Sequence, residues 1–241
     1  MARVRPILLV HGAWHGAWCW AAVQAELDRR GLPSYAVDLP GHGLSTLPLG
    51  GLHGDAEHVA TVLAGLDDEV VLVGHSYGGA VVTHATGSAH AVADRVSHLV
   101  YLTAFALDDG ESVWSFTRSR PRVHVALDAA VLVGEDSTSR IDPDKAQAAL
   151  YAMCQPAEVS AAIARLDAQP IAAFQQPVLG SPRATIASTY VKCTADEAVH
   201  IDLQDELAGR CNHVLTFESD HSPFLVMPGA VADVLESLTR Q

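Results

Sequence analysis

The chain has 241 residues, 49% of them apolar, with a formal net charge of −13 and a pI near 5.3. That length suits one α/β domain with a sizeable core and room for a small inserted subdomain. The acidic balance argues against nucleic acid and against an anionic membrane surface as partners.

No internal repeat or low-complexity tract is present. The four cysteines, Cys19, Cys154, Cys193 and Cys211, show no paired spacing, so free thiols in a reducing, cytoplasmic compartment are expected. The apolar run at 7–10 is too short for a signal peptide or a membrane span. Thirteen histidines invite a metal-binding reading, but no His-x-x-x-His or Cys-x-x-Cys pair falls on a plausible helix. Neither metal nor cofactor is expected.

In chain order, 7–10 reads as a buried strand, followed by His11-Gly12-Ala13-Trp14 at its C-terminal end. Ligands bind at that end of an open parallel sheet. Gly12 would let backbone approach a substrate, and the Ala13 amide is placed to donate to an oxyanion. A helix over 18–30 and a strand over 34–37 come next. The loop Asp38-Leu39-Pro40-Gly41-His42-Gly43 follows, where His42 shapes the turn rather than acting chemically. Val59, Val62, Leu63 and Leu66 stand at i, i+3, i+4 and i+7, which predicts a helix over 58–66.

The stretch Val70-Val71-Leu72-Val73-Gly74-His75-Ser76-Tyr77-Gly78-Gly79 organises the rest. A β-branched run suited to a strand buried on both faces enters Gly-x-Ser-x-Gly, and a helix-like segment leaves it. This is the context of a nucleophile elbow, a sharp turn that lifts a serine hydroxyl above the sheet edge. Glycine at 74 and 78 leaves room for strand and helix to approach. The Tyr77 amide, at a helix N-terminus, lies beside the hydroxyl as a second oxyanion donor.

A strand over 96–102 follows. Phe105 is expected against substrate, and Asp108 or Asp109 is one location for a catalytic acid. Residues 107–183 read as an inserted cap. Asp142-Pro143 and Gln155-Pro156 each open a short helix, and Trp114, Phe116, Tyr151, Met153 and Phe174 supply either an apolar lid or the cap's own packing. Beyond it, a strand over 189–193 leads to Asp196, and one over 212–217 leads to Asp220-His221. Ser222-Pro223 then opens a helix presenting Val231, Val234, Leu235 and Leu238 on one face.

The motifs His11-Gly12-Ala13-Trp14-His15-Gly16, Asp38 to Gly43, Gly74-His75-Ser76-Tyr77-Gly78-Gly79, Tyr190 to Asp196 and Asp220-His221-Ser222-Pro223-Phe224 carry a resemblance. The chain resembles the α/β-hydrolases, in particular the branch of plant methyl-ester esterases and hydroxynitrile lyases with their bacterial relatives. The resemblance implies an α/β-hydrolase fold: a mostly parallel sheet of about six strands flanked by helices, with a core of 1–106 and 184–241 and a cap over 107–183. It implies Ser76 as nucleophile, His221 as base and Asp196 as acid, in the family's chain order. Ala13 and Tyr77 would form the oxyanion hole, and Gly12, Trp14, Phe105, Trp114 and Phe174 would contact substrate. The partner expected is a small or medium apolar ester, and a homodimer is left open.

Three classes of function stay in view: a serine carboxylesterase, a lyase using the same triad without an acyl-enzyme, and a non-catalytic ligand receptor on the same scaffold. In the lyases of this branch a threonine follows the strand-end histidine and a lysine follows the catalytic histidine. Gly12 and Ser222 occupy those positions here. Ser222 reads instead as the N-cap of the last helix.

Overall fold

The computed structural model describes residues 4–87 and 91–240. The apolar runs at 7–10 and 70–73 have no position to turn toward water, and both become interior strands of the sheet with a neighbour on each side. β1 (Ile7–Val10), α1 (Ala21–Arg29), β2 (Ser34–Val37), α2 (Leu52–Ala64), β3 (Val70–His75), α3 (Gly78–Ala85) and β4 (Val96–Leu102) make the first part of the chain. Then come α4 (Val113–Arg118), α5 (Ala126–Ala130), β5 (Val131–Val133), β6 (Thr138–Ile141), α6 (Pro143–Leu150), α7 (Pro156–Ile163), β7 (Gln169–Pro170) and α8 (Ala172–Gln175). β8 (Ser188–Cys193), α9 (Ile201–Ala208), β9 (His213–Phe217), α10 (Pro223–Val226) and α11 (Pro228–Thr239) complete it.

Six strands form one sheet in the order β2-β1-β3-β4-β8-β9, every neighbouring pair parallel. Alternation along β1 and β3 divides their side chains between two cores. Leu8, Val10 and Leu72 pack with Val59 and Leu63 of α2 and Val81 of α3. Ile7, Leu9, Val71 and Val73 pack with Val23 and Leu27 of α1 and Val231 and Leu235 of α11. Burial on both faces is why these strands read as continuous apolar runs.

Local differences from the sequence reading have physical causes. The first helix begins as a 3-10 turn over Ala17–Trp20. α2 starts at Leu52, not near His58, because Leu52, Asp55 and Ala56 are buried too and extend the packed face. The C-terminal helix is two helices: Pro228 has no amide hydrogen, and the chain restarts there as α11. Ser222 stands at the N-cap of α10, but its side chain makes no capping bond and its buried hydroxyl has no partner among the described residues.

Between β4 and β8, Asp142 caps α6 through its bond from the Asp144 amide, and Gln155 with Glu158 forms a reciprocal cap on α7. A three-stranded antiparallel sheet, β5-β6-β7, also lies there. Its strands are two to four residues long, too short to show an alternating pattern. Among the described residues no helix is long and apolar enough to cross a membrane. All four cysteines are free thiols.

Candidate active site

Three adjacent strands, β1, β3 and β4, are each followed by a non-glycine residue held at positive φ, directly after β3 and β4 and four residues beyond β1. These are Trp14 at 63°, Ser76 at 52° and Thr103 at 39°. Backbone strain of this kind costs about 1–3 kcal/mol per residue and persists only where the surroundings enforce it. At Ser76 the enforcement is visible. Its carbonyl accepts from the Gly79 and Phe105 amides, both at 3.0 Å, and its amide donates to the Leu102 carbonyl at 3.3 Å. A Cβ at Gly74 would lie 2.5 Å from the Gly78 carbonyl oxygen, and one at Gly78 would lie 2.5 Å from that of His11. The elbow therefore admits no side chain at either position.

The structure brings Asp196 and His221 together. His221 Nδ1 lies 2.7 Å from Asp196 Oδ2, with both residues buried. Asp196 Oδ1 accepts from the amides of Ala198 at 2.7 Å and Val199 at 2.9 Å. Its Oδ2 also accepts from Thr103 Oγ1 and, at 3.5 Å, from Gln204 Nε2. Gln204 is fixed in turn by bonds to the Cys193 amide and carbonyl and to the Val199 carbonyl. Thr103 and Gln204 were absent from the sequence reading. Asp108 pairs instead with Arg183 at 2.6 Å, and Asp109 accepts from the Gly180 amide, so neither contacts His221.

His75, the residue before Ser76, donates from Nε2 to the His221 carbonyl at 2.8 Å and packs on its ring at 4.6 Å between centroids. Burial holds the His75 imidazole neutral, with the nearby His221 and His15 adding to the effect. Asp220 faces away, accepting from the Ser222 amide through Oδ1 and from the Met153 amide through Oδ2. This ties the loop of His221 to the turn between α6 and α7. His42 bonds to the Pro40 carbonyl within its own loop.

Ala13, Trp14, Ser76, Tyr77, Phe105, Trp114 and Phe174 all line one cavity of about 630 Å³. Among the described residues no acceptor takes the amide hydrogen of Ala13 or Tyr77. The Tyr77 hydroxyl donates to Asp55 Oδ2 at 2.6 Å, and its ring meets Phe174 edge to face. Gly12 does not line the cavity. A Cβ there would lie 2.8 Å from His75 Nδ1 and 2.9 Å from Ser76 Cβ, so packing under the serine, not substrate, takes up that space. Of the other side chains expected in the lid, Phe116 and Tyr151 are fully buried in packing and Met153 is exposed. Tyr151 bonds to His15 Nε2 at 2.8 Å. Among the described residues no three His, Cys, Asp or Glu side chains gather so as to hold a metal ion.

A parallel sheet with a serine raised at the end of its third strand defines the class, and residues 7–234 match the Alpha/beta hydrolase family, to which the chain belongs. It is similar to the putative chloroplastic methylesterase 11 of Arabidopsis thaliana, 25% identical over 97% of this chain and 63% of that one. The chain thus spans about three fifths of the length of that relative. The pFDCC methylesterase MES16 of the same plant is 27% identical over 92% of this chain and 89% of its own. The crystal structure of MES16 covers 96% of this chain and 97% of its own with a TM-score of 0.79. A pyrethroid hydrolase, PytH, shares the fold at a TM-score of 0.83 and 22% identity, over 97% of this chain and 96% of its own.

Proposed function

We propose that the protein is a serine carboxylesterase cleaving small to medium apolar esters, methyl esters among them. The observation that carries this is a strained serine sharing one cavity with two amides that have no acceptor among the described residues. His221 takes the proton of Ser76 Oγ as the oxygen attacks the ester carbonyl, because a serine hydroxyl is a weak nucleophile at neutral pH. Asp196 holds the imidazole in the tautomer that presents Nε2 and stabilises its charged form. The Ala13 and Tyr77 amides take the developing oxyanion, each contributing about 3 kcal/mol. His221 then protonates the leaving alcohol, and water, activated by the same imidazole, hydrolyses the acyl-enzyme. Residues 107–183 act as the cap, setting Trp114 and Phe174 against the acyl or alcohol group. The methylesterase names of the relatives favour methyl esters as substrates.

The hydroxynitrile lyase reading is disfavoured by two positions. Gly12 brings no hydroxyl and has no room for one, and Ser222 brings no charge to stabilise departing cyanide.

The test is a panel of p-nitrophenyl esters of rising chain length beside methyl esters of aromatic acids, run on the parent and on Ser76→Ala. Hydrolysis by the parent and a loss of several orders of magnitude in the variant are expected. Near-normal turnover in a folded Ser76→Ala protein would overturn the proposal.

A further inference from the structure

The apolar wall of the cavity suits the ester reading, whereas its charged residues call for a different explanation. Arg118, Arg120 and Arg122 line the cavity, against a single carboxylate, Asp128. Arg120 is engaged by Glu206 and by the Phe116 carbonyl. Arg122 lies 3.8 Å from Asp128, which His124 also approaches to 3.6 Å. Arg118 makes no ion pair among the described residues. It is exposed, and its guanidinium lies over the Trp114 ring, 3.9 Å from the centroid.

In a chain carrying a net charge of −13, acids are available to pair with surface arginines. An arginine without one, on the wall of the cavity that holds Ser76, is a local positive feature. Contact with the indole restrains the guanidinium, and among the described residues no hydrogen bond occupies its N–H donors, which suit a carboxylate. Ser76 is only 8% exposed, so the same cavity runs from a buried serine to a solvent-exposed arginine.

Resting on the esterase reading, we infer that the site favours esters with a carboxylate at the end remote from the scissile bond, joined to it by an apolar spacer. Arg118 reads that carboxylate. A charge next to the scissile carbonyl would lie unpaired among Ala13, Trp14 and Phe174, at a large desolvation cost. A charge at the exposed end meets Arg118 while still partly hydrated, so little desolvation opposes the pairing.

Monomethyl suberate and methyl octanoate match in chain length and differ in a terminal carboxylate. The expected result is a ratio of kcat/KM, half-ester over neutral ester, that falls by about tenfold in Arg118→Ala and falls in the parent as salt is added. Calorimetric binding of monomethyl suberate to Ser76→Ala, with and without Arg118→Ala, reads the same subsite without turnover. A ratio and a binding constant that Arg118→Ala leaves unchanged would overturn the inference, as would equal losses for both esters. If the parent cleaved neither ester while binding stayed Arg118-dependent, the esterase reading would fall and the carboxylate subsite would stand.

Discussion

Asp55 meets Tyr77, with Oδ2 accepting from the phenol at 2.6 Å and Oδ1 buried without a partner among the described residues. Burial raises its pKa from 3.8 to about 7, against the opposing pull of the Tyr77 bond. A carboxyl with a folded pKa above its unfolded value binds more protons in the fold. Its stabilising contribution is therefore complete below pH 3.8 and is lost as pH rises through about 7. Asp55→Asn keeps an acceptor for Tyr77 and removes the titration. The stability difference between variant and parent then isolates this group, because all other titrations cancel. At about 1.4 kcal/mol per pH step, rounding off near the folded pKa, the difference shifts by roughly 2.5 kcal/mol in favour of asparagine between pH 5 and pH 8. Urea unfolding of both proteins at intervals across that range measures it. A difference constant to within about 0.5 kcal/mol would refute the reasoning.

Thr103→Val removes a hydrogen bond to the ionised Asp196, worth about 1.5–3 kcal/mol, so kcat should fall roughly tenfold to a hundredfold while KM holds. A matching change in KM alone would place Thr103 outside this network. Burial lowers His11 from 6.5 to about 3 and His15 from 6.5 to about 4, so their stability is present above pH 6.5 and lost as pH falls toward those values. The two together should cost roughly 4 kcal/mol by pH 5. Thermal midpoints of Asp55→Asn, which lacks the carboxyl that opposes most strongly and keeps Asp220, also raised by burial, should drop between pH 6.5 and pH 5, and a flat profile would count against neutral burial. Gly12→Thr, which would install the lyases' threonine, should lose ester hydrolysis by crowding His75 and Ser76. It should release no more cyanide from mandelonitrile than the parent, and efficient release by either protein would favour the lyase reading.

The elbow was legible because its constraints are local: a buried run, two glycines against backbone, and a serine between them. The meeting of Asp196 with His221 was legible as two strand ends that the sheet order sets side by side. What escaped the sequence depends on side chains brought from distant strand ends and helix faces. Thr103 reaches Asp196 across β4 and β8, 93 positions away. Gln204 does so from α9, and Asp55 reaches Tyr77 from a helix whose first turn fell outside the recognised period. Gly12 makes way not for substrate, as its place at a strand end suggests, but for atoms of His75 and Ser76. A glycine's neighbour is invisible until the chain is folded.

The most direct measurement is reaction with a serine-directed fluorophosphonate, followed by intact-mass analysis and peptide mapping. One adduct per chain, on Ser76, forming in step with loss of ester hydrolysis and absent from a folded Ser76→Ala variant, is the result expected. An adduct on another residue, or full hydrolytic activity in protein labelled at Ser76, would contradict the assignment of Ser76 as the group that carries the acyl intermediate.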